Sequence, residues 1–155
     1  MSFQTLAADA LTESGSLLSP SSNLVLYDGV CGLCNRLVRL LLVADRKAVL
    51  CFAPLQGATA ARVRQRRDLP QDLDTLVYVR GFGLADEQAY LRSDAVLLAL
   101  ADVGGVWWLA GALRVIPRPL RDGVYRWVAR RRYGWFGKYE TCPLPPPEHR
   151  ARFLP

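Results

Sequence analysis

The chain has 155 residues, 51% of them hydrophobic and 22% charged, with a formal net charge of +6. That apolar content suits one compact domain with a real core and excludes a chain disordered throughout. The cations are nearly all arginine, Lys47 and Lys138 being the only lysines. Such a balance permits contact with an anionic surface without requiring one.

Residues 1–22 are rich in Ser, Ala and Thr and close on Ser19-Pro20-Ser21-Ser22, which reads as a mobile leader. They lack a basic start and carry Asp9 and Glu13, unlike a secretory signal, so a cytoplasmic setting is expected. Leu24-Val25-Leu26-Tyr27 is short and continuously apolar, as in a buried central strand. Beyond Asp28-Gly29 the period becomes helical. Leu33, Leu37, Leu40, Leu41 and Ala44 fall on one helix face, and Asp45-Arg46-Lys47 closes it. Residues 49–53 form a second buried strand, ended by Pro54. Strand, helix and strand make a right-handed βαβ unit.

Residues 56–67 predict a short helix, with Ala58, Ala61 and Val63 inward and four arginines outward. A third strand follows over 76–79. Gly81-Phe82-Gly83 turns the chain, and 89–91 pairs back as a hairpin. Ser93 or Asp94 is the expected cap of an apolar helix over 95–103, ended by Gly104-Gly105. Residues 106–116 read as a further buried helix, with Trp107-Trp108 filling a core. Pro117-Arg118-Pro119 breaks it, and Pro119 suits the first turn of the next helix. Leu120, Val124, Trp127, Val128 and Arg131 share one face of that last helix.

These boundaries give a leader over 1–22, a core over 23–104, a helical extension over 105–137 packed on the core, and a Pro-rich tail over 138–155. The order β-α-β-α-β-β-α predicts an α/β fold with a thioredoxin-like core and a C-terminal helical extension. The longest charge-free stretch of the most apolar region, 103–113, falls well short of the ~20 residues a membrane span needs.

The chemistry centres on Cys31-Gly32-Leu33-Cys34. Strand, turn, Cys-x-x-Cys and helix together form the arrangement of a dithiol redox site. Such a site needs one exposed thiol that deprotonates readily, because the thiolate is the nucleophile. A helix N-terminus provides unpaired N–H groups and positive partial charge. Cys31 occupies that position as the expected nucleophile, and Cys34, one turn on, is the resolving thiol. A zinc site is the competing reading. It needs two more ligands, and Cys51, Cys142 and His149 show no closed spacing. No Gly-rich phosphate loop follows a strand, and no cofactor or metal is expected.

Asp28 has two readings that stand side by side: proton relay to a thiol, or a turn residue capping nearby N–H groups. Its charge opposes thiolate formation. Gly29 is expected to allow an unusual backbone angle. Arg36 either adds positive potential or is simply solvated. Cys51 is expected as a packed apolar residue, Cys142 as a spectator in a flexible tail, and His149 has no assigned role. The segment 114–132 holds seven arginines against one acid, Asp122. It reads either as an anionic-partner surface or as a helix with aromatics toward the core and arginines toward water. The second is the expectation.

Asp28-Gly29-Val30-Cys31-Gly32-Leu33-Cys34 matches the Asp-x-x-Cys-x-x-Cys signature of the DCC family of thiol-disulfide oxidoreductases. Phe52-Ala53-Pro54-Leu55-Gln56, Ser93-Asp94-Ala95, the block from Ile116 to Tyr125, and Arg132-Tyr133 with Phe136-Gly137 also resemble that family, so the likeness covers roughly 23–144. Arg131 departs from it, standing where the family's pattern has asparagine. The resemblance implies a thioredoxin-like fold and a Cys31/Cys34 dithiol that exchanges disulfides. Its implied partners are a disulfide-containing protein or small thiol and a separate reductant, with no specific nucleic acid. Thioredoxins place a cis-proline directly before the third strand. Here Asp74-Thr75 precedes Leu76, which leaves open whether Pro54 stands near the site instead. The alternative function is an arginine-rich module binding a partner or membrane surface, with the dithiol structural or a sensor. Peripheral membrane contact through the basic helices is compatible with both.

Overall fold

A computed structural model describes residues 23–71 and 73–155; the leader expected over 1–22 lies outside them. The elements are β1 (Asn23–Tyr27), α1 (Gly32–Ala44), β2 (Leu50–Pro54), α2 (Ala58–Arg67), β3 (Val77–Arg80), β4 (Gln88–Leu91), α3 (Arg92–Val103) and α4 (Arg118–Phe136). A 3₁₀ stretch, Gly105–Val115, joins α3 to α4, and a second, Pro147–Arg152, lies in the tail. The strands form one four-stranded sheet in the order β2-β1-β3-β4. β1 runs parallel to β2, and the β1–β3 and β3–β4 pairs are antiparallel. This is the order of a thioredoxin-like core.

β1 is apolar from Leu24 onward because both of its faces are covered. Leu24 and Leu26 join Cys51, Ala53, Val77 and Val79 on one side, where α2 adds Ala60 and Val63. Val25 and Tyr27 join Phe52 and Tyr78 on the other, where α1 and α3 add Val38, Leu41, Leu98 and Ala99. The alternation follows from the period of two along a strand.

The helices sit on their neighbours differently from the periodic expectation. α1 buries Cys34, Asn35, Val38, Leu41 and Leu42, while Leu40 is exposed. Leu33, Leu37 and Ala44 form a half-buried flank of this core. α2 starts at Ala58 and buries Thr59, Ala60 and Val63, leaving Ala58 and Ala61 exposed. Alanine's single methyl adds too little area to set which face docks, whereas Val63 and the fit against β2 do. α3 starts at Arg92, so Ser93 and Asp94 lie inside its first turn rather than capping it, and no side chain caps that end.

The segment 106–116 is not a buried helix. It is a 3₁₀ stretch with no buried residue. Three residues per turn stack side chains at i and i+3 and cannot present a wide apolar face. Trp107 packs against the core, but Trp108 is exposed. In α4 the expected orientation is reversed. Leu120, Val124 and Trp127 face outward, and Arg121 and Arg132 are buried. The cause is a set of buried carboxylates on other elements. Arg121 donates to Asp94 at 2.8 Å and to Ser93 at 3.1 Å, and Arg132 reaches Asp28.

The Pro-rich tail lacks a period yet packs closely. Phe153 stacks on Phe52 with ring centroids 5.3 Å apart, Leu154 N–H donates to the Phe52 carbonyl at 2.8 Å, and Arg152 donates to the Leu50 carbonyl at 3.0 Å. β2 is an outer strand, and the tail covers part of its open edge.

Candidate active site

The dithiol is made by the start of α1. Cys31 is the cap residue, with extended backbone, and its Sγ accepts the Cys34 N–H at 3.3 Å. A thiolate there receives a donor that the first helical turn cannot otherwise pair. The Cys31 thiol is drawn down to about 6, first by its hydrogen bond with the Cys34 thiol. The Cys34 N–H, the positive charge of Arg132 and the Leu33 N–H act in the same direction, and burial opposes them. Cys34 is pushed strongly upward, by the hydrogen bond to Cys31, by burial and by the charge of Cys31. One thiol is thus set to ionise and the other to stay protonated.

Asn35, one residue further, holds the turn. Its Nδ2 donates to the Gly29 carbonyl at 2.8 Å and the Cys31 carbonyl at 2.9 Å. Gln56, from the loop after β2, accepts from Gly29 N–H at 3.4 Å and donates to Asp28 Oδ1 at 3.0 Å. The backbone before Cys31 is therefore tied from both sides.

Asp28 is buried and does the work of a turn residue, accepting the Val30 N–H at 3.2 Å. It is also the hub that draws α4 to the site. The Tyr133 hydroxyl donates to Oδ2, and Arg132 Nη2 lies 3.4 Å from the same oxygen. Arg132 further donates to the Tyr133 hydroxyl at 3.2 Å and to the Asp74 carbonyl at 2.8 Å. Burial and the bond to Asp28 raise the Tyr133 hydroxyl above its ordinary value. A cavity of about 280 Å³ adjoins Cys34, walled by Leu33, Leu37, Leu76, Tyr125 and Arg132.

Cys31 is fully buried, which corrects the expectation of an exposed nucleophile. The chain leaving α4 crosses over it. Gly32 N–H donates to the Gly137 carbonyl at 3.1 Å and Tyr139 N–H to the Val30 carbonyl at 2.8 Å, with Lys138 paired opposite Cys31. Gly32 is required for space, because a Cβ there would stand 2.0 Å from the Phe136 carbonyl oxygen. Gly29 is likewise a matter of space rather than backbone angle: a Cβ would meet Cys142 Sγ at 2.7 Å and Pro54 Cβ at 3.3 Å.

Pro54 therefore does lie beside the turn before the dithiol. The position directly before β3 is held differently, by Tyr125, whose hydroxyl accepts from Thr75 at 2.8 Å and from Leu76 N–H at 2.9 Å.

The remaining candidates separate. Cys51 is buried in β2, its thiol donating to the Asn23 carbonyl at 3.3 Å and pushed up to about 12 by burial. Cys142 is exposed and lies 3.9 Å from the Tyr27 hydroxyl, not in a free tail. Arg36 stacks over Phe136 at 5.4 Å. His149 lies in the tail's 3₁₀ stretch. Among the described residues no three His, Cys, Asp or Glu side chains cluster closely enough to hold a metal ion, so the zinc reading finds no ligand set there. Arg132, Tyr133 and Gln56 were not singled out from the residues alone. Their signal lay in the stretches that resemble the DCC family.

The sequence pattern of the DCC1-like thiol-disulfide oxidoreductases matches residues 25–138. The chain belongs to that family. The chain is similar to the uncharacterized protein YuxK of Bacillus subtilis, 36% identical over 135 residues and covering 86% of this chain and 95% of that protein. A chloroplastic DCC family protein of Arabidopsis thaliana is 30% identical over 141 residues, covering 89% of this chain and 79% of that one. No solved structure matches the chain. The matched span runs from β1 through all of α4, so this DCC domain includes the helix that supplies Arg132 and Tyr133 and not only the thioredoxin-like core. Among the described residues no helix is long and apolar enough to cross a membrane.

Proposed function

We propose that the protein exchanges disulfides through Cys31 and Cys34 in the cytoplasm. The Cys31 thiolate attacks one sulfur of a substrate disulfide, forming a mixed disulfide and expelling one substrate thiolate. Cys34 then gives up its proton and attacks the Cys31 sulfur. That releases the second substrate thiol and leaves a Cys31–Cys34 disulfide. Two electrons have passed to the substrate, and a separate dithiol reductant, oxidised to a disulfide in turn, supplies two more to restore the Cys31/Cys34 dithiol. Asp28 takes the role of proton acceptor for Cys34 in the second step. The segment over Cys31 lifts to admit the substrate.

The observation that carries this reading is the placement of both thiols at one helix N-terminus, where Cys31 Sγ accepts the Cys34 N–H at 3.3 Å and the Cys31 thiol is drawn down while Cys34 is pushed up. A nucleophile and a resolving thiol need that difference, whereas two structural cysteines do not.

The test is trapping. Cys34→Ser should accumulate a mixed disulfide on Cys31, and Cys31→Ser should not; trapping by Cys31→Ser would reverse the roles. Asp28→Asn should leave attack intact and slow release. A glutathione titration read by alkylation and mass spectrometry should show Cys31 and Cys34 oxidising as one couple, between roughly −120 and −300 mV.

A further inference from the structure

The outward face of α4 and the 3₁₀ stretch before it are unlike the rest of the surface. Leu120 is 63% exposed, Val124 59%, Trp127 46% and Trp135 55%. At helical spacing they form one stripe along α4. Leu113 and Ile116 extend it onto the preceding segment, and with Val96, Leu97, Leu120 and Val124 they line an apolar groove of about 470 Å³. Scattered apolar residues on a surface need no explanation, but a contiguous stripe with a groove does.

The same elements carry the charge. Residues 105–138 hold eight of the twenty cations and one of the fourteen acids, a net +7 that leaves the remainder of the chain at −1. Four of the eight are paired with carboxylates from outside this segment, Arg114, Arg118 and Arg121 with Asp94 and Arg132 with Asp28, and Arg121 and Arg132 are buried there. Arg126, Arg130 and Arg131 are exposed beside the stripe. Arg131 Cζ stands 4.6 Å from the Trp127 ring centre and 6.0 Å from that of Trp135, so a guanidinium is held beside two indole rings.

We infer that this face docks on the surface of an anionic lipid bilayer. The pattern needs an occupant that is apolar and negatively charged at once. A second copy would set a strongly basic face against another, and a nucleic acid would leave the aliphatic groove unfilled. An anionic bilayer provides acyl chains for Leu120, Val124 and the groove, an interfacial layer for the tryptophans, and headgroup charge for the arginines. The helix would lie in the interface plane without crossing it. Its opposite side walls the cavity at Cys34, so the dithiol would sit about one helix diameter, ~10 Å, from the headgroups. This docking does not depend on the exchange reaction.

The test is co-sedimentation of the full reduced chain with vesicles of phosphatidylcholine alone or with about a third phosphatidylglycerol. Binding should require the anionic lipid and weaken several-fold as added salt shortens the screening length. The neutral double change Val124→Ser with Trp127→Ser leaves the charge as it is and should weaken binding by about tenfold or more, since apolar burial contributes alongside charge. Arg126→Gln with Arg130→Gln should also weaken it, while Cys31 alkylation stays unchanged in both variants. Failure to bind anionic vesicles overturns the inference. So does undiminished binding by the serine variant, which would mean adsorption by charge alone. Lipid-free self-association that the serine variant abolishes would assign the face to a second copy and overturn it as well.

Discussion

Arg132 and Asp28 lie 3.4 Å apart, both almost wholly buried, and the pair ties α4 to the turn that presents Cys31. Removing the cation would strand a carboxylate without its charge partner. Arg132→Met should therefore cost about 3–5 kcal/mol of stability. It should also move the pH midpoint of Cys31 alkylation upward, because Arg132 is one of the groups that favour the thiolate. Denaturant melts and an iodoacetamide pH–rate profile check the two effects separately. A fall in stability with an unmoved midpoint would leave Arg132 as a purely structural tie.

The thiol pair makes the stability of the reduced protein depend on pH. Cys31 is depressed to about 6 in the folded state, against ~8.5 for an ordinary cysteine. Its contribution is complete above the ordinary value and is lost as pH falls through about 6. Cys34 is raised, so its contribution is complete below the ordinary value and is lost as pH climbs beyond it. The reduced protein should thus gain stability from about pH 6 toward pH 8.5 and then decline. Melting temperatures of the reduced protein and of Cys31→Ser across that range decide it, since the variant should lose the rise. The same slope in both would mean that Cys31 is not depressed.

Two glycines of the motif should respond differently to alanine. At Gly32 the new methyl meets the Phe136 backbone at 2.0 Å, and backbone cannot swing aside. A loss of about 1–3 kcal/mol is expected, as for overpacking. The crossing segment should loosen too, so Cys31 alkylates faster at fixed pH. At Gly29 the nearest atom is the exposed Cys142 thiol, which can move. Gly29→Ala should cost less, and adding Cys142→Gly should recover part of the loss. Equal costs at the two positions would contradict this packing.

Tyr125 anchors the chain ahead of β3 through Thr75 and Leu76. Tyr125→Phe keeps the ring in the cavity wall but leaves the Leu76 N–H unpaired. The expected loss is about 1–3 kcal/mol. Faster amide exchange at Leu76, with the Cys31 alkylation midpoint unchanged, would mark the role as positional.

Much of the fold was legible because its causes are local. The apolar run before Asp28, the helical period after Cys34 and the Gly81–Gly83 turn each sit within a few residues of what they determine. The same holds for Cys31 and Cys34, whose placement at a helix N-terminus is set by the residues beside them. Asp28 was legible as a turn residue for the same reason. The tie from Asp28 to Tyr133, 105 residues away, has no local trace.

The sequence by itself determined the β-α-β-α-β-β-α order and the placement of the dithiol, since strand period, turn chemistry and helix start are properties of neighbouring residues. Only the tertiary structure decided which way α4 faces and what covers Cys31. Considered alone, the helix would turn Leu120, Val124 and Trp127 inward in preference to Arg121, Tyr125 and Arg132. Buried Asp94 and Asp28, on elements distant in sequence, select the arginine face. A buried carboxylate must be paired, and an exposed leucine or tryptophan carries a far smaller penalty.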